Sequence, residues 1–159
     1  MAGTHGYQQL FTESVSTVTL TPSVALGTRR LEDGVEYLYV YNAGTTVLAG
    51  MGVIPSLMSG FSVVVSSVTG DACFGVVTNT DLATSCYGWL AVKGVVTVDM
   101  VNNDVTAVTG KGIMLQTNGS FTTVTTGVTG STWAHNACGT LLVSVASGSS
   151  GKAYINCLG

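Results

Sequence analysis

Four cysteines are the residues of this sequence best suited to hold a metal ion or to form a covalent bond. They are Cys73, Cys86, Cys138 and Cys157. No two form a CxxC pair, and no histidine flanks them at the spacing of a zinc site, so the sequence predicts no metal site. The favoured interpretation is buried or half-buried, reduced thiols that act as small hydrophobic side chains. An oxidising compartment would allow three disulfide connectivities, and the sequence leaves that choice open.

The two histidines are the next candidates for chemistry. His5 lies near the N-terminus, and His135 lies in TWAHNACG, close to Cys138. A catalytic site needs a nucleophile, a base and an orienting group, whereas a histidine and a cysteine this close in sequence share one turn. The sequence therefore predicts that the protein is not an enzyme and has no catalytic and no cofactor-binding residues. An enzyme built around His135 is the alternative that we favour least.

Charged residues are concentrated in one short segment. Five of the thirteen lie between Arg29 and Glu36, and none follows until Asp71. One interpretation of this segment is a solvated loop. The other is a site of ion pairs between subunits, because bidentate pairs of arginine and carboxylate fix orientation even where each adds little stability. The five residues are Arg29, Arg30, Glu32, Asp33 and Glu36.

The composition indicates a β protein and argues against two classes of partner. Charged residues make up 8% of the chain, and 21 glycines accompany abundant valine and threonine, which favour strands and turns. The net charge is −3, and no basic stripe could neutralise a row of phosphates, so we expect no nucleic acid partner. Glycine, proline and serine divide the uncharged run at 37–70 into short pieces, so we expect no membrane span.

The pattern along the chain predicts an all-β fold with two parts. Residues 1–25 are weakly patterned and are interpreted as an extended N-terminal arm that a partner orders. Residues 26–159 contain short strands at regular spacing, which is typical of a small antiparallel β-barrel or sandwich. We expect this part to be a single β-rich body. Its segment 50–60, GMGVIPSLMSG, is predicted to be a loop with one short helix at Pro55–Ser59.

Three sequence signals define turns and bends in the body. Asp33–Gly34 is predicted to turn the chain into the strand VEYLYVYN at 35–42, which has one aromatic face and one partly aliphatic face. Gly94 is predicted to bend the long strand YGWLAVKGVVTVDMV at 87–101, because glycine inside a strand marks a bulge. Asn118–Gly119 is the strongest hairpin signal of the chain.

The segment Leu26–Val53 has an ordered set of features. LGTRRLEDGVEYLYVYNAGTTVLAGMGV contains a Gly-Thr step, a basic residue, an Asp-Gly turn, an aromatic strand and a Gly-Thr/Ala-rich hairpin that ends in Ala-Gly. The later YGWLAVKGVVTV and AVTGKGIMLQTNG supply an aromatic-Gly-Trp strand and hairpins punctuated by glycine. From Leu26 to Asn118 the chain thus resembles structural proteins of tailed-phage heads, and among them the capsid decoration, or cement, proteins.

This resemblance implies a structural virion protein with no reaction and no cofactor. Capsid decoration proteins of tailed bacteriophages are small β-rich chains that commonly trimerise on the shell and bridge neighbouring capsomers. The resemblance implies a homotrimer on the capsid exterior, assembled in the host cytoplasm, with the major capsid protein as partner. The interface residues that we expect in the arm, the charged segment and the aromatic strand are Tyr7, Leu10, Phe11, Arg29, Arg30, Glu32, Asp33, Glu36, Tyr37, Tyr39 and Tyr41.

A binding function of another class is the alternative. The chain would then be a receptor- or glycan-binding β-domain of a phage fibre or adhesin. In that hypothesis Trp89, Trp133 and Tyr87 form exposed platforms on which ligands stack. Binding to a glycan array without co-sedimentation with capsids would favour it.

Overall fold

Strands make up the regular structure of this chain. A computed structural model describes residues 11, 13–56, 60–101, 107–124 and 137–157. These residues contain one short 3-10 turn, Thr117–Gly119, no α-helix and no helix long and apolar enough to cross a membrane. The prediction of an all-β fold is confirmed. The strands are β1 (Arg29–Glu32), β2 (Val35–Asn42), β3 (Gly52–Pro55), β4 (Ser62–Val65), β5 (Gly75–Val76), β6 (Tyr87–Asp99), β7 (Gly112–Leu115), β8 (Phe121–Thr123), β9 (Ala137–Leu141) and β10 (Ser150–Asn156).

The ten strands form one sheet in the order β1-β2-β4-β3-β5-β6-β10-β9-β7-β8. β2 also pairs with β6, so β2, β4, β3, β5 and β6 close a ring of five strands. The strands β10, β9, β7 and β8 continue from β6 as an extension. Among these strand pairs only β2 with β4 is parallel. Phe121 of β8 returns to Met100, just after β6, through an isolated bridge. The predicted barrel or sandwich is therefore a small ring joined through β6 to a four-stranded extension that curls back to the end of β6.

The central strand β2 and the first half of β6, residues 87–92, are largely buried on both faces and separate two hydrophobic cores. Side chains alternate along a strand, so Leu38 and Leu90 face one core while Tyr39 and Trp89 face the other. The first core also contains buried valines of β3 and β4, and the second contains apolar side chains of β7 to β10. The predicted division of β2 into an aromatic and an aliphatic face is confirmed.

The predicted turns lie where the sequence placed them. Asp33 and Gly34 both have positive φ, 50° and 78°, and connect β1 to β2 as a two-residue hairpin. Asn118 and Gly119, with φ of 67° and 81°, connect β7 to β8. These hairpins form because asparagine, aspartate and glycine tolerate the left-handed backbone that such turns require.

The long strand β6 bends as predicted at its glycine. Gly94 has φ of +125°, and a Cβ atom there would lie 2.8 Å from the carbonyl oxygen of Gly34. The bulge itself lies nearby, because Ala91 and Lys93 face consecutive residues of β2 and leave Val92 without a partner in that ladder. The bend lets β6 pair with β2 in its first half and with β10 in its second half.

One prediction about the body is wrong. The segment 50–60 was expected to be a loop, but Gly52–Pro55 forms β3 and pairs with both β4 and β5. The glycine allows this, because a Cβ atom at Gly52 would lie 2.6 Å from Leu115 Cδ1 and 2.7 Å from Phe121 Cζ. A glycine that suggests a loop in the sequence therefore lies where β3 closely approaches β7 and β8. Pro55 lies in this strand, and the rest of the predicted short helix lies partly outside the described residues.

The described part of the predicted arm lies against the body. Thr19 and Tyr87 exchange backbone hydrogen bonds of 3.0 and 2.8 Å, and Gly27 and Thr28 bond to the backbone of Tyr39 at 2.9 Å. Val15 is buried in the core that contains Tyr39 and Trp89, which we call the aromatic core. We call residues 13–28 the N-terminal segment. The division into an arm, 1–25, and a body, 26–159, stays a prediction, as does ordering of the arm by a partner.

Candidate interaction surface

The charges of the β1–β2 hairpin pair with one another within the chain. Alternation along β1 places Arg29 and Leu31 on one face and Arg30 and Glu32 on the other. Arg29 forms an ion pair with Glu36, and Arg30 forms one with Glu32. An exposed pair such as Arg29–Glu36 contributes at most about 1 kcal/mol, so it fixes the shape of the hairpin more than it stabilises the fold. A role between subunits stays a prediction.

Arg30 fastens the N-terminal segment to this hairpin. Its side chain is 14% exposed, and Nη1 donates a hydrogen bond of 2.6 Å to the backbone oxygen of Glu13. Its guanidinium carbon lies 5.2 Å from the ring centre of Phe11 and 5.8 Å from that of Trp89. Guanidinium groups at such distances are attracted to the faces of aromatic rings. Arg30 therefore joins three parts of the chain at one point.

A polar network continues from this point into the aromatic core. The carboxylate of Glu13 accepts hydrogen bonds from Ser23 Oγ at 2.7 Å and from Trp89 Nε1 at 3.3 Å. The hydroxyl of Tyr39 accepts a hydrogen bond of 3.2 Å from the backbone N–H of Ser23. Buried tyrosine and tryptophan usually find a partner for their polar atoms, and here the N-terminal segment supplies it. This segment therefore completes the core.

The predicted interface residues lie in different environments. Tyr37 and Tyr39 are buried under residues of the same chain, and Tyr41 is half-buried beside Tyr87, with ring centres 4.9 Å apart. Phe11 is partly buried against Trp89. Arg29 and Asp33 are exposed, and Arg30, Glu32 and Glu36 are half-buried. Tyr7 and Leu10 lie outside the described residues. An interface role for all eleven residues stays a prediction.

One residue that sequence reasoning missed is exposed on the hairpin. Leu31 has 76% of its surface exposed, and β1 pairs with no described strand other than β2. An edge strand presents unpaired backbone groups that another strand can join. The signal was a single aliphatic residue between charges in a strand that precedes a tight turn. We call the exposed side of this hairpin, Arg29, Leu31, Asp33 and Glu36, the hairpin surface.

The structure contradicts one of the three proposed aromatic platforms for ligands. Trp89 is only 4% exposed, because Phe11 and Tyr39 cover it with ring centres at 5.5 and 5.0 Å. The expectation that Trp89 stacks on a ligand is therefore wrong. Tyr87 is half-buried between Tyr39 and Tyr41. Trp133 lies outside the described residues, as do both histidines.

Three cysteines that are far apart in sequence meet in the structure. Cys73 precedes β5, Cys138 lies in β9 and Cys157 follows β10, and their sulfur atoms all lie within 4.8 Å of one another. Cys157 Sγ lies 3.6 Å from Cys73 Sγ. All four cysteines are free thiols, and Cys86 is buried elsewhere, just before β6. Sequence spacing could not reveal this cluster, because the sheet pairing of the extension brings the three residues together.

The three clustered thiols differ in acidity. Hydrogen bonds from the thiols of Cys157 and Cys73 lower the pKa of Cys138 well below its ordinary value, against the opposing effect of burial. Hydrogen bonding to Cys138, then to Cys157, and burial raise the pKa of Cys73. Hydrogen bonding to Cys138 and burial also raise the pKa of Cys157. Cys138 is therefore the thiol of this cluster that loses its proton first.

The fold has a counterpart in a phage head. The chain is similar to the N base of the head fibre protein gp8.5 of bacteriophage phi29, with a TM-score of 0.55 and 10% sequence identity. The similarity covers 76% of this chain and 92% of that one. Comparison with protein-family models and with curated protein sequences finds no match. At this identity the likeness establishes a shared fold.

Proposed function

We propose that this protein is a structural component of a phage virion that binds the outside of the head shell. The observation that supports the proposal is the fold shared with the N base of the phi29 head fibre, which the similarity covers almost completely. The order of sequence features from Leu26 to Asn118 resembles head proteins of tailed phages and supports the same class on separate grounds. The proposal includes no reaction and no cofactor.

In its finer form, the proposal is capsid decoration. The protein is a homotrimer on the capsid exterior that bridges subunits of the major capsid protein and is assembled in the host cytoplasm. Many copies and three contacts per trimer add up to strong attachment even where each contact is weak. A chain with only 8% charged residues has little electrostatic repulsion between copies, which suits such an assembly.

The hairpin surface is the part of the described chain that we assign to shell binding. β1 has a free edge, so a strand of the shell can join it through backbone hydrogen bonds. Leu31 then enters an apolar pocket of the partner, while Arg29 and Asp33 fix the orientation. Arg30 holds the hairpin from behind through its contacts with the N-terminal segment, so the surface is rigid before it binds.

Co-sedimentation with capsid shells that lack the protein tests this assignment. We expect Leu31→Glu to weaken binding by about tenfold or more, because a carboxylate replaces the apolar anchor. Val68→Glu is the matched control, since Val68 is 58% exposed and lies outside both the hairpin surface and the predicted arm. Equal binding by Leu31→Glu and the unaltered chain would overturn the role of the hairpin surface. Failure of the unaltered chain to bind shells would overturn the proposed function.

The proposed trimer has its own test. Light scattering on the purified chain at micromolar concentration should give three times the monomer mass. A monomer at that concentration contradicts the trimer but leaves shell binding to the co-sedimentation experiment.

A fibre-borne receptor- or glycan-binding domain is the second candidate function. The observation that favours it is that the structural neighbour is itself part of a head fibre. Burial of Trp89 removes one of its expected ligand platforms. Glycan-array binding by a chain that fails to co-sediment with shells would favour this candidate over capsid decoration.

A further inference from the structure

The cluster of Cys73, Cys138 and Cys157 contains no residue of the hairpin surface. We propose that these three cysteines bind one zinc ion as thiolates. The sequence predicted no metal site because none of the usual spacings is present. The fold supplies the site instead, by bringing together the approach to β5, the strand β9 and the end of β10.

The distances between the sulfur atoms fit a shared ion. A zinc–thiolate bond of about 2.3 Å separates three sulfurs by about 4.0 Å in a trigonal plane and by about 3.8 Å in a tetrahedron. The sulfurs of Cys73 and Cys157 are 3.6 Å apart, and all three lie within 4.8 Å of one another. An ion at their centre therefore requires each of these sulfur–sulfur distances to change by no more than about 1 Å.

The surrounding backbone offers the clustered thiols only weak hydrogen-bond partners. Apart from one another, Cys73 is 3.5 Å from the backbone oxygen of Gly75 and Cys138 is 3.6 Å from that of Ile113, and both contacts are weak hydrogen bonds. A disulfide between two of the three would leave the third thiol buried without a strong partner. An ion satisfies all three sulfurs at once.

The ligand set selects the kind of metal. Thiolates are soft ligands that favour zinc and copper(I), and no carboxylate or imidazole of the described residues joins the group. Three thiolates leave a net charge of −1 with Zn²⁺ and of −2 with Cu⁺, and the smaller charge is less costly in an apolar core. Cys157 is only half-buried, so water can supply a fourth ligand on its side.

The binding step is balanced by proton release. Zn²⁺ replaces the protons of three thiols, and three protons leave to solvent. The bound ion then ties the approach to β5, which belongs to the ring, to β9 and β10 of the extension. We therefore expect zinc to stabilise the junction between these two parts of the sheet.

Metal titration of the reduced, full-length protein tests the proposal. Zinc is titrated in competition with a chromophoric chelator, and Co²⁺ serves as a spectroscopic substitute whose charge-transfer absorption reports thiolate ligands. We expect one ion per chain, a rise in Tm and a weakening of about 100-fold or more in Cys138→Ser and in Cys157→Ser. Cys86→Ser is the matched control, because it removes a buried thiol outside the cluster and should bind zinc as the unaltered chain does.

The contrary outcomes are equally specific. Absence of one-to-one binding by the unaltered chain would overturn the proposal, and so would undiminished binding by Cys157→Ser. Circular dichroism of each variant identifies a loss of folding, and Cys157→Ser is the safest variant because its side chain is only half-buried at the end of β10. A disulfide within the cluster in protein purified without reductant would also overturn it. None of these results depends on whether the protein binds capsids.

Discussion

The indole Nε1 of Trp89 donates a hydrogen bond of 3.3 Å to the carboxylate of Glu13. Trp89 lies in the central strand β6, and Glu13 lies in the N-terminal segment. The same carboxylate accepts a hydrogen bond from Ser23, whose backbone N–H donates to Tyr39. The polar tips of two buried aromatic residues are thus satisfied by the N-terminal segment, which is why its described residues belong to the folded unit.

Replacing Glu13 tests this relationship. Glu13→Ala leaves the buried Nε1–H of Trp89 without its acceptor, so we expect the free energy of unfolding to fall by about 1–3 kcal/mol. Glu13→Gln keeps an acceptor oxygen and should lose less. The hydrogen bond from Arg30 to the backbone oxygen of Glu13 is retained in both variants. Urea unfolding followed by tryptophan fluorescence measures the difference, and equal stability of all three proteins would contradict the role of this contact.

A second buried polar residue holds the end of β2. Asn42 is fully buried, and its Nδ2 donates to the carbonyl oxygens of Thr45, Leu82 and Ala83 at 2.8, 2.9 and 3.1 Å. Its Oδ1 accepts a hydrogen bond of 3.0 Å from the backbone N–H of Gly44. One side chain therefore satisfies backbone groups of two separate loops.

We expect Asn42→Ala to lower the free energy of unfolding by about 2–4 kcal/mol, because the carbonyl oxygen of Thr45 and the N–H of Gly44 lose the partner that Asn42 gives them. The carbonyl oxygens of Leu82 and Ala83 also accept backbone hydrogen bonds and contribute less to this loss. Asn156→Ala is the control, since Asn156 is an exposed residue of a strand and its change should cost less than about 0.5 kcal/mol. Thermal or urea unfolding of both variants measures these losses in the free energy of unfolding. Similar losses in the two variants would refute the special role of Asn42.

Local signals in the sequence determined much of the fold but little of its long-range pairing. The Asp33–Gly34 turn and the alternation in β2 were predictable, because both depend on neighbouring residues. The strand at Gly52–Pro55 was not, because its glycine permits contact with Leu115 across the core. The cysteine cluster was hidden for the same reason, since only the pairing of the extension unites its members.

The candidate interaction surface was predictable to a similar extent. The Asp33–Gly34 signal within the charged segment 29–36 correctly predicted a turn, but the sequence could not show that Arg29 pairs with Glu36 inside the chain. It also could not show which aromatic residues remain exposed. Burial of Tyr39 and Trp89 depends on the N-terminal segment, which is distant from β6 in sequence.

The bend of β6 depends on a glycine that no other residue can replace without strain. Gly94 has φ of +125°, and a Cβ atom would lie 2.8 Å from the oxygen of Gly34 and 2.9 Å from Val35 Cα, which are both backbone atoms. We expect Gly94→Ala to lower the free energy of unfolding by about 3 kcal/mol or more. Gly60→Ala is the control, because nothing lies within 4 Å of a Cβ atom at Gly60. Equal melting temperatures for these two variants would contradict the steric argument.

In the metal-free protein, the thiol cluster makes the free energy of unfolding rise with pH in one range and fall with pH in a higher one. Hydrogen bonds from its neighbours lower the pKa of Cys138, whereas hydrogen bonding and burial raise the pKa of Cys73 and of Cys157. In the unfolded chain each of the three thiols has its ordinary pKa of about 8.5. Above the pKa of Cys138 but below about pH 8.5 the unfolded chain holds one proton more, so stability rises with pH.

Above about pH 8.5 the sign reverses, because folded Cys73 and Cys157 keep two protons that the unfolded chain has lost. We therefore expect the free energy of unfolding to pass through a maximum near this pH and then to fall by up to about 2.7 kcal/mol per pH unit, at 1.36 kcal/mol for each retained proton. Urea unfolding with reductant and chelator, from about pH 6 to pH 10, measures this profile. Cys86→Ser should reproduce it, whereas Cys138→Ser should lose the rising part, because no thiol with a lowered pKa remains. Stability that keeps rising through pH 9.5 or so would contradict the assigned directions.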